Sequence, residues 1–221
     1  MLVKITTRRG RVFVNAQPGV ELAVERGVLE HLSDGVVLVR RARSDDRIEV
    51  SCAPGTDLSI GTASGNIEVI GQLGSVKVST SSGKVMIGDA REVDVRTHSG
   101  LVQVDSSSDD CRVVTKSGKV LLGKVGHATI AAVSGLVAIE EVESAQVKTV
   151  SGKILIGTVG SGDLAVKTVS GRVEITVPPD RRPNVRVNTI SGKVERDTER
   201  GNDGTISVAS VSGRVRVSGG R

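Results

Sequence analysis

Few residues of this chain could do chemistry, and most of them stand alone. His31, His98 and His127 are far apart and in no metal-ligand spacing, so neither a metal centre nor an acid–base pair is expected. Cys52 and Cys111 are too few for a disulfide framework or a thiolate metal site. The segment from Gly118 to Val125 approaches a phosphate loop, yet Val125 stands where a Ser or Thr would hold magnesium. Asp105, Asp109 and Asp110 read as a solvated turn rather than a calcium site. Two recurring sets carry more. Lys153, Arg172, Lys193 and Arg214 follow an earlier Lys84 and Lys119 at near-constant spacing. Stacked on consecutive coils, they would form a basic ridge able to track a polyanion such as nucleic acid or an anionic envelope polymer. Glu174 and Glu195 lie two residues beyond Arg172 and Lys193 and can pair with them. Val133, Val150, Val169, Ile190 and Val211 recur in the same way and would form an apolar stripe, a surface suited to contact with a protein.

What positions both sets is a repeat. Ser-Gly recurs with glycines at 65, 83, 100, 118, 135, 152, 171, 192 and 213, spaced 17 to 21 residues apart. The second residue after each glycine is always Val or Ile. The fourth is apolar throughout, with Arg196 the one exception. The fifth and seventh before it are apolar as well, so each repeat alternates with period two and holds short strands. One coil of this kind cannot bury its apolar face alone, and successive coils must stack at ~4.8 Å. The expected fold is all-β, a single-stranded parallel β-solenoid, right-handed because parallel crossovers prefer that hand. Leu73, Ala90, Val125, Val142 and Val159 suggest a short third side, hence a three-sided coil. Gly at the Ser-Gly corner permits the positive φ of a sharp turn. A Thr column three residues earlier is expected to form hydroxyl ladders from coil to coil. Cys111 falls in an apolar column and reads as a small buried hydrophobe.

Residues 1–55 lack the Ser-Gly register but are strand-like, and are expected to form irregular first coils or a cap on the repeats of 56–221, in one continuous domain. Phe13 is expected to plug the open end, and Leu29–Leu32 is the one candidate for a short helix. At the other end, Arg214, Arg216 and Arg221 around Val215 and Val217 would discourage edge-to-edge growth. Two insertions, 177–184 and 196–204, fall in the same phase and should project as adjacent loops.

Composition agrees with a narrow coil. The 221 residues include one Phe, no Tyr and no Trp, 27 Gly, and 30 basic against 25 acidic side chains. Without Tyr or Trp, sugar-stacking and base-stacking sites lose their usual platforms. Hexapeptide acyltransferases need 18 residues per coil, whereas 17 is commonest here, and β-helix polysaccharide lyases use carboxylate–arginine clusters. No enzyme and no cofactor are expected. No stretch approaches the ~20 apolar residues of a membrane span. Thr7-Arg8-Arg9 is followed by Gln17, Pro18 and Glu21 rather than the apolar core of a twin-arginine signal, so the expected location is the cytoplasm, without membrane insertion.

The run from Pro54 to Gly65, followed by repeated Thr-Val-Ser-Gly-Lys/Arg-Val units, resembles the bacterial β-strand-repeat family labelled "putative adhesin". The resemblance covers about residues 48–217. It implies the solenoid architecture and no chemistry, since that family is a domain of unknown function, some of whose members are linked to the cell envelope and its stress responses. The expected function is a non-catalytic structural or interaction protein that binds a protein partner or itself through a solenoid face. Polyanion binding along the Lys/Arg ladder and a bactofilin-like polymerising scaffold are the alternatives.

Overall fold

The computed structural model describes residues 1–31, 36–40, 47–199 and 201–219; Leu32, Arg200 and Arg221 lie outside them. The described chain runs through β1 (Leu2–Arg9), β2 (Arg11–Ala16), β3 (Leu22–Arg26), β4 (Val28–His31), β5 (Val36–Arg40) and β6 (Arg47–Cys52). It continues through β7 (Asp57–Ser64), β8 (Ile67–Ser82), β9 (Lys84–Val159), β10 (Leu164–Val177), β11 (Asn184–Asp197) and β12 (Thr205–Gly219). β9 is 76 residues long because its ladder stays unbroken through the corners at Gly100, Gly118, Gly135 and Gly152. The fold is an all-β solenoid of parallel coils stacked in register. Thr168 lies opposite Thr149, Gly171 opposite Gly152, and Val173 opposite Ile154.

Inside the coil each column sits on itself. Leu58, Val76 and Val93 form one such column, and Ile67, Val85 and Val102 another, all nearly inaccessible to solvent. Each fully buried aliphatic side chain contributes about 1.5–3 kcal/mol, and the interior is filled without a ring. The short third side is present, with Leu73, Ala90, Val125, Val142 and Val159 buried. Ser107 takes the equivalent place between Ala90 and Val125, and its hydroxyl donates to the carbonyls of Arg91 and Asp110.

The corners hold the tightest contacts. Gly135 has φ +122°, and a Cβ there would sit 2.0 Å from the carbonyl oxygen of Gly118 one coil below. The same clash, at 2.0–2.2 Å, recurs from Gly65 through Gly171 and at Gly213. Gly10 belongs to the same column, because its carbonyl oxygen lies under Gly65. The Thr column does not form the expected ladders between coils. Thr80, Thr97, Thr115 and Thr168 instead donate to the carbonyl two residues on, at Ser82, Ser99, Ser117 and Ser170, so each hydroxyl braces its own corner. Thr149 and Thr168, 3.4 Å apart, are the one hydroxyl pair of that column bonded between coils among the described residues.

Coil order in space differs from order in sequence at both ends. β1 lies between β5 and β7, and β2 between β6 and β8. The outermost N-terminal coil is therefore β5–β6, and antiparallel β4 and β3 cover it. Val28–His31 is strand rather than helix, since four residues form no stable helix and pairing with β5 satisfies their backbone. Phe13 does not plug the end: Val12 and Val14 point inward and Phe13 faces out between Glu49 and Glu68. At the other end β12 inserts between β10 and β11, so the edge coil is β11. The arginines around β12 are thus not the edge guards. That role falls to Arg196, whose guanidinium reaches the carbonyls of Val185 and Val187 at 3.5 Å. An arginine in a core column is tolerated only where solvent remains, because burying it unpaired would cost several kcal/mol. The two insertions do lie side by side. Buried Arg181 donates to the carbonyls of Asp203, Val159 and Gly162, tying both loops to the coil beneath.

Two measurements check this account. Gly135→Ala should lose about 3 kcal/mol in urea unfolding, from backbone strain and carbonyl overlap. Gly61→Ala, where a Cβ meets nothing within 4 Å, should be neutral or stabilising by at most ~1 kcal/mol. Burial pushes the Cys111 thiol up to about 12 and raises that of Cys52, so the fold favours both as neutral thiols. This stabilisation is complete below the usual thiol range and is lost only as pH rises through the shifted values. A chromogenic disulfide reagent at about pH 9 should therefore find no reactive thiol in the native protein and two per chain in denaturant.

Candidate interaction faces

The outward positions of a coil alternate with the core residues, so each outer column repeats at the spacing of the stack. The column two residues before the corner glycine carries Val133, Val150, Val169 and Val211 at 44–49% exposure and Ile190 at 83%. Register places Val169 beside Val211 and Val211 beside Ile190, so the stripe runs 133, 150, 169, 211, 190. Sequence order had placed Ile190 inside the stripe; the edge position of β11 leaves it at the end, which accounts for its exposure. Beside the stripe runs a shallow groove of about 460 Å³ bordered by Lys148, Lys167 and Asn188. Toward the N-terminus the same column turns polar, through exposed Lys116 and His98.

The basic column is also reordered, to Lys153, Arg172, Arg214, Lys193. Carboxylates quench most of it. Glu174 lies 3.6 Å from Lys153 and 3.8 Å from Arg172, and Glu195 lies 3.0 Å from Lys193. The hydrogen bond and charge of Lys193, with the nearby charges of Arg214 and Arg216, hold the Glu195 carboxyl below the usual carboxylate range. Arg216 stands between Glu174 and Glu195 in the next column, so charge alternates across this corner of the surface. Such exposed pairs contribute about 0–1 kcal/mol each, yet they weaken the field a polyanion would meet.

A second apolar surface escaped the column reading. Met86, Leu101, Leu121, Leu136 and Leu155 are half-exposed on the side after the corner. They belong to two adjacent outward columns that also hold Lys, Gln, Glu and Arg, so neither column is apolar by itself. Only the lateral proximity of the two on one sheet makes the patch.

The residues of possible chemistry stay apart. His98 and His127 are exposed, as are Asp105, Asp109 and Asp110. Asp109 pairs with Arg91 at 3.6 Å and Asp105 accepts from Gln103. The segment from Gly118 to Val125 is extended strand and not a loop. Cys52 and Cys111 are both buried and unpaired. Among the described residues no group of three or more His, Cys, Asp or Glu could hold a metal ion, and no helix is long and apolar enough to cross a membrane.

No curated protein matches the chain. Two solved structures are similar to it. One, a putative cell adhesion protein from Clostridium sporogenes ATCC 15579, is 9% identical, with 99% of this chain and 92% of that chain covered at a TM-score of 0.32. The other, a putative adhesin from Bacteroides fragilis NCTC 9343, is 12% identical, with coverage of 98% and 91% and a TM-score of 0.42. The model of the family described as Toastrack DUF4097 matches residues 3–219, both terminal coil exchanges included. The chain belongs to the Toastrack family, a domain of unknown function.

Proposed function

We propose that this protein is a non-catalytic interaction module whose contact face is the apolar stripe of Val133, Val150, Val169, Val211 and Ile190. The observation that carries this reading is the unbroken run of five exposed aliphatic side chains on adjacent coils. Water gains nothing from such a row, and a protein surface of matching shape removes it from solvent. Five coils by one eight-residue side span about 20 Å by 25 Å, on the order of 500 Å² per partner. That is below the ~800 Å² of a standard interface, so contact through the stripe alone is weak and reversible. Lys148 and Lys167 beside it favour a partner whose apolar row is edged by carboxylates. Polyanion binding along Lys153, Arg172, Arg214 and Lys193 is the second reading, favoured by Arg214, for which no carboxylate lies within ion-pair distance among the described residues.

A photo-crosslinking side chain at Val169, in cells of the native organism, should give discrete protein adducts or a crosslinked dimer. The same group at exposed Thr129 should give none. Val169→Lys with Ile190→Lys should abolish any concentration-dependent dimer seen by sedimentation. Adducts equal at both positions, with sedimentation unchanged by the double variant, would remove the stripe as a contact face. Retention on heparin that disappears in Lys153→Glu/Arg172→Glu would transfer the function to the ridge.

A further inference from the structure

The one aromatic side chain of the protein is not spent on the core. Phe13 faces outward in the row Glu49, Phe13, Glu68, Met86, on the face opposite the buried Val12, Val14, Ile48, Val50, Ile67 and Val69. Around it the outer surface of β2, β6 and β8 forms a groove of about 740 Å³, which Gln17 and Glu25 help to line. This volume lies within the 300–1,000 Å³ of small-ligand sites. Its chemistry differs from the rest of the surface. Three carboxylates (Glu25, Glu49, Glu68) face three cations (Arg11, Arg47, Lys84), and three amides (Asn15, Gln17, Asn66) lie among them.

Part of this set is pre-ordered. Arg47 holds Glu49 at 2.8 Å, the Ser51 hydroxyl donates to Glu25 at 3.1 Å, and the Lys84 amide donates to Asn66. Arg11 and the Glu68 carboxylate make no hydrogen bond or ion pair with another described residue, and are left to bind something else. Balanced charge disfavours a polyanion or a polycation. An aromatic face amid fixed carboxylate, amide and guanidinium groups suits a ligand that is apolar on one face and rich in hydroxyls around its edge. From this geometry we infer that the Phe13 groove is a binding site for a neutral saccharide. One or more sugar rings lie on the Phe13 side, and their hydroxyls donate to Glu68 and accept from Arg11 and Asn66. The groove is separate from the valine stripe, so the two readings stand or fall independently.

The lone Phe makes the test direct. With no Tyr or Trp, its ring protons share the aromatic proton spectrum only with three histidines and with amides, which exchange with deuterium removes. The intact protein is screened on an array of neutral and anionic glycans. Neutral hits are then titrated while the Phe13 ring signal and saturation transfer to the sugar are followed. The expected result is a saturable shift of the Phe13 signal and transfer to sugar ring protons. Binding should be about tenfold weaker in Phe13→Leu and in Glu68→Gln, with unfolding midpoints unchanged. Glu174→Gln, on a distant coil, should bind as the parent does. The absence of any neutral glycan hit overturns the assignment, as does preferential capture of anionic glycans. Binding undiminished in both groove variants overturns it too.

Discussion

At every Ser-Gly corner except that of the edge coil, Gly192, the carbonyl oxygen of one coil occupies the place where the next coil would put a side chain. That contact sets the rest of the structure. It brings the backbones together closely enough for the ladder to pass through the corner without a break, and this is why β9 continues for 76 residues. It also explains why a single residue type recurs at every turn. A positive φ alone would favour glycine by a kcal/mol or two, whereas overlap with a backbone carbonyl leaves no side chain room to move. With the corners locked in register, every column must stack on itself. The core becomes a set of aliphatic ladders, and the surface a set of stripes.

Much of this could be read from the residues. The repeat, the alternation and the third-side column led to the solenoid, and the apolar stripe lies on the surface where its phase put it. What stayed hidden has physical causes. Gly10 is a corner glycine preceded by Thr7 and Arg9, and the Thr7 hydroxyl donates to the Arg9 carbonyl at 2.7 Å as in the later corners. Arg9 replaces the Ser that marks the other corners, so the first coil lacks their signature. A column of threonines is compatible equally with bonds along the stack and bonds within a coil, and alignment cannot separate the two. The groove at Phe13 needs β1 and β2 to sit between strands that come later in the chain, and no local pattern encodes that.

Arg196 is the instructive residue at the far end. It occupies a position that is Val, Ile or Leu in every other repeat, and this marks its coil as one that cannot be interior. The fold obeys by placing β11 outermost and β12 inside. A substitution that looks like a flaw in the repeat thus determines which coil closes the stack. It also determines the order of residues in each surface stripe, and so the surface offered to any partner.

The exchange of β11 and β12 has a temporal side. As the chain leaves the ribosome, β11 emerges before β12, and β10 is then the nearest free edge for it to pair with. Docking there would build an ordinary sequential solenoid with Arg196 at its provisional edge. Adding β12 to that order would close Arg196 between Ile175 and Val217, and the fold avoids it by placing β12 directly on β10. The last coil to be made is therefore not the last coil of the stack, since β12 leaves the ribosome after β11 and yet ends up inside it.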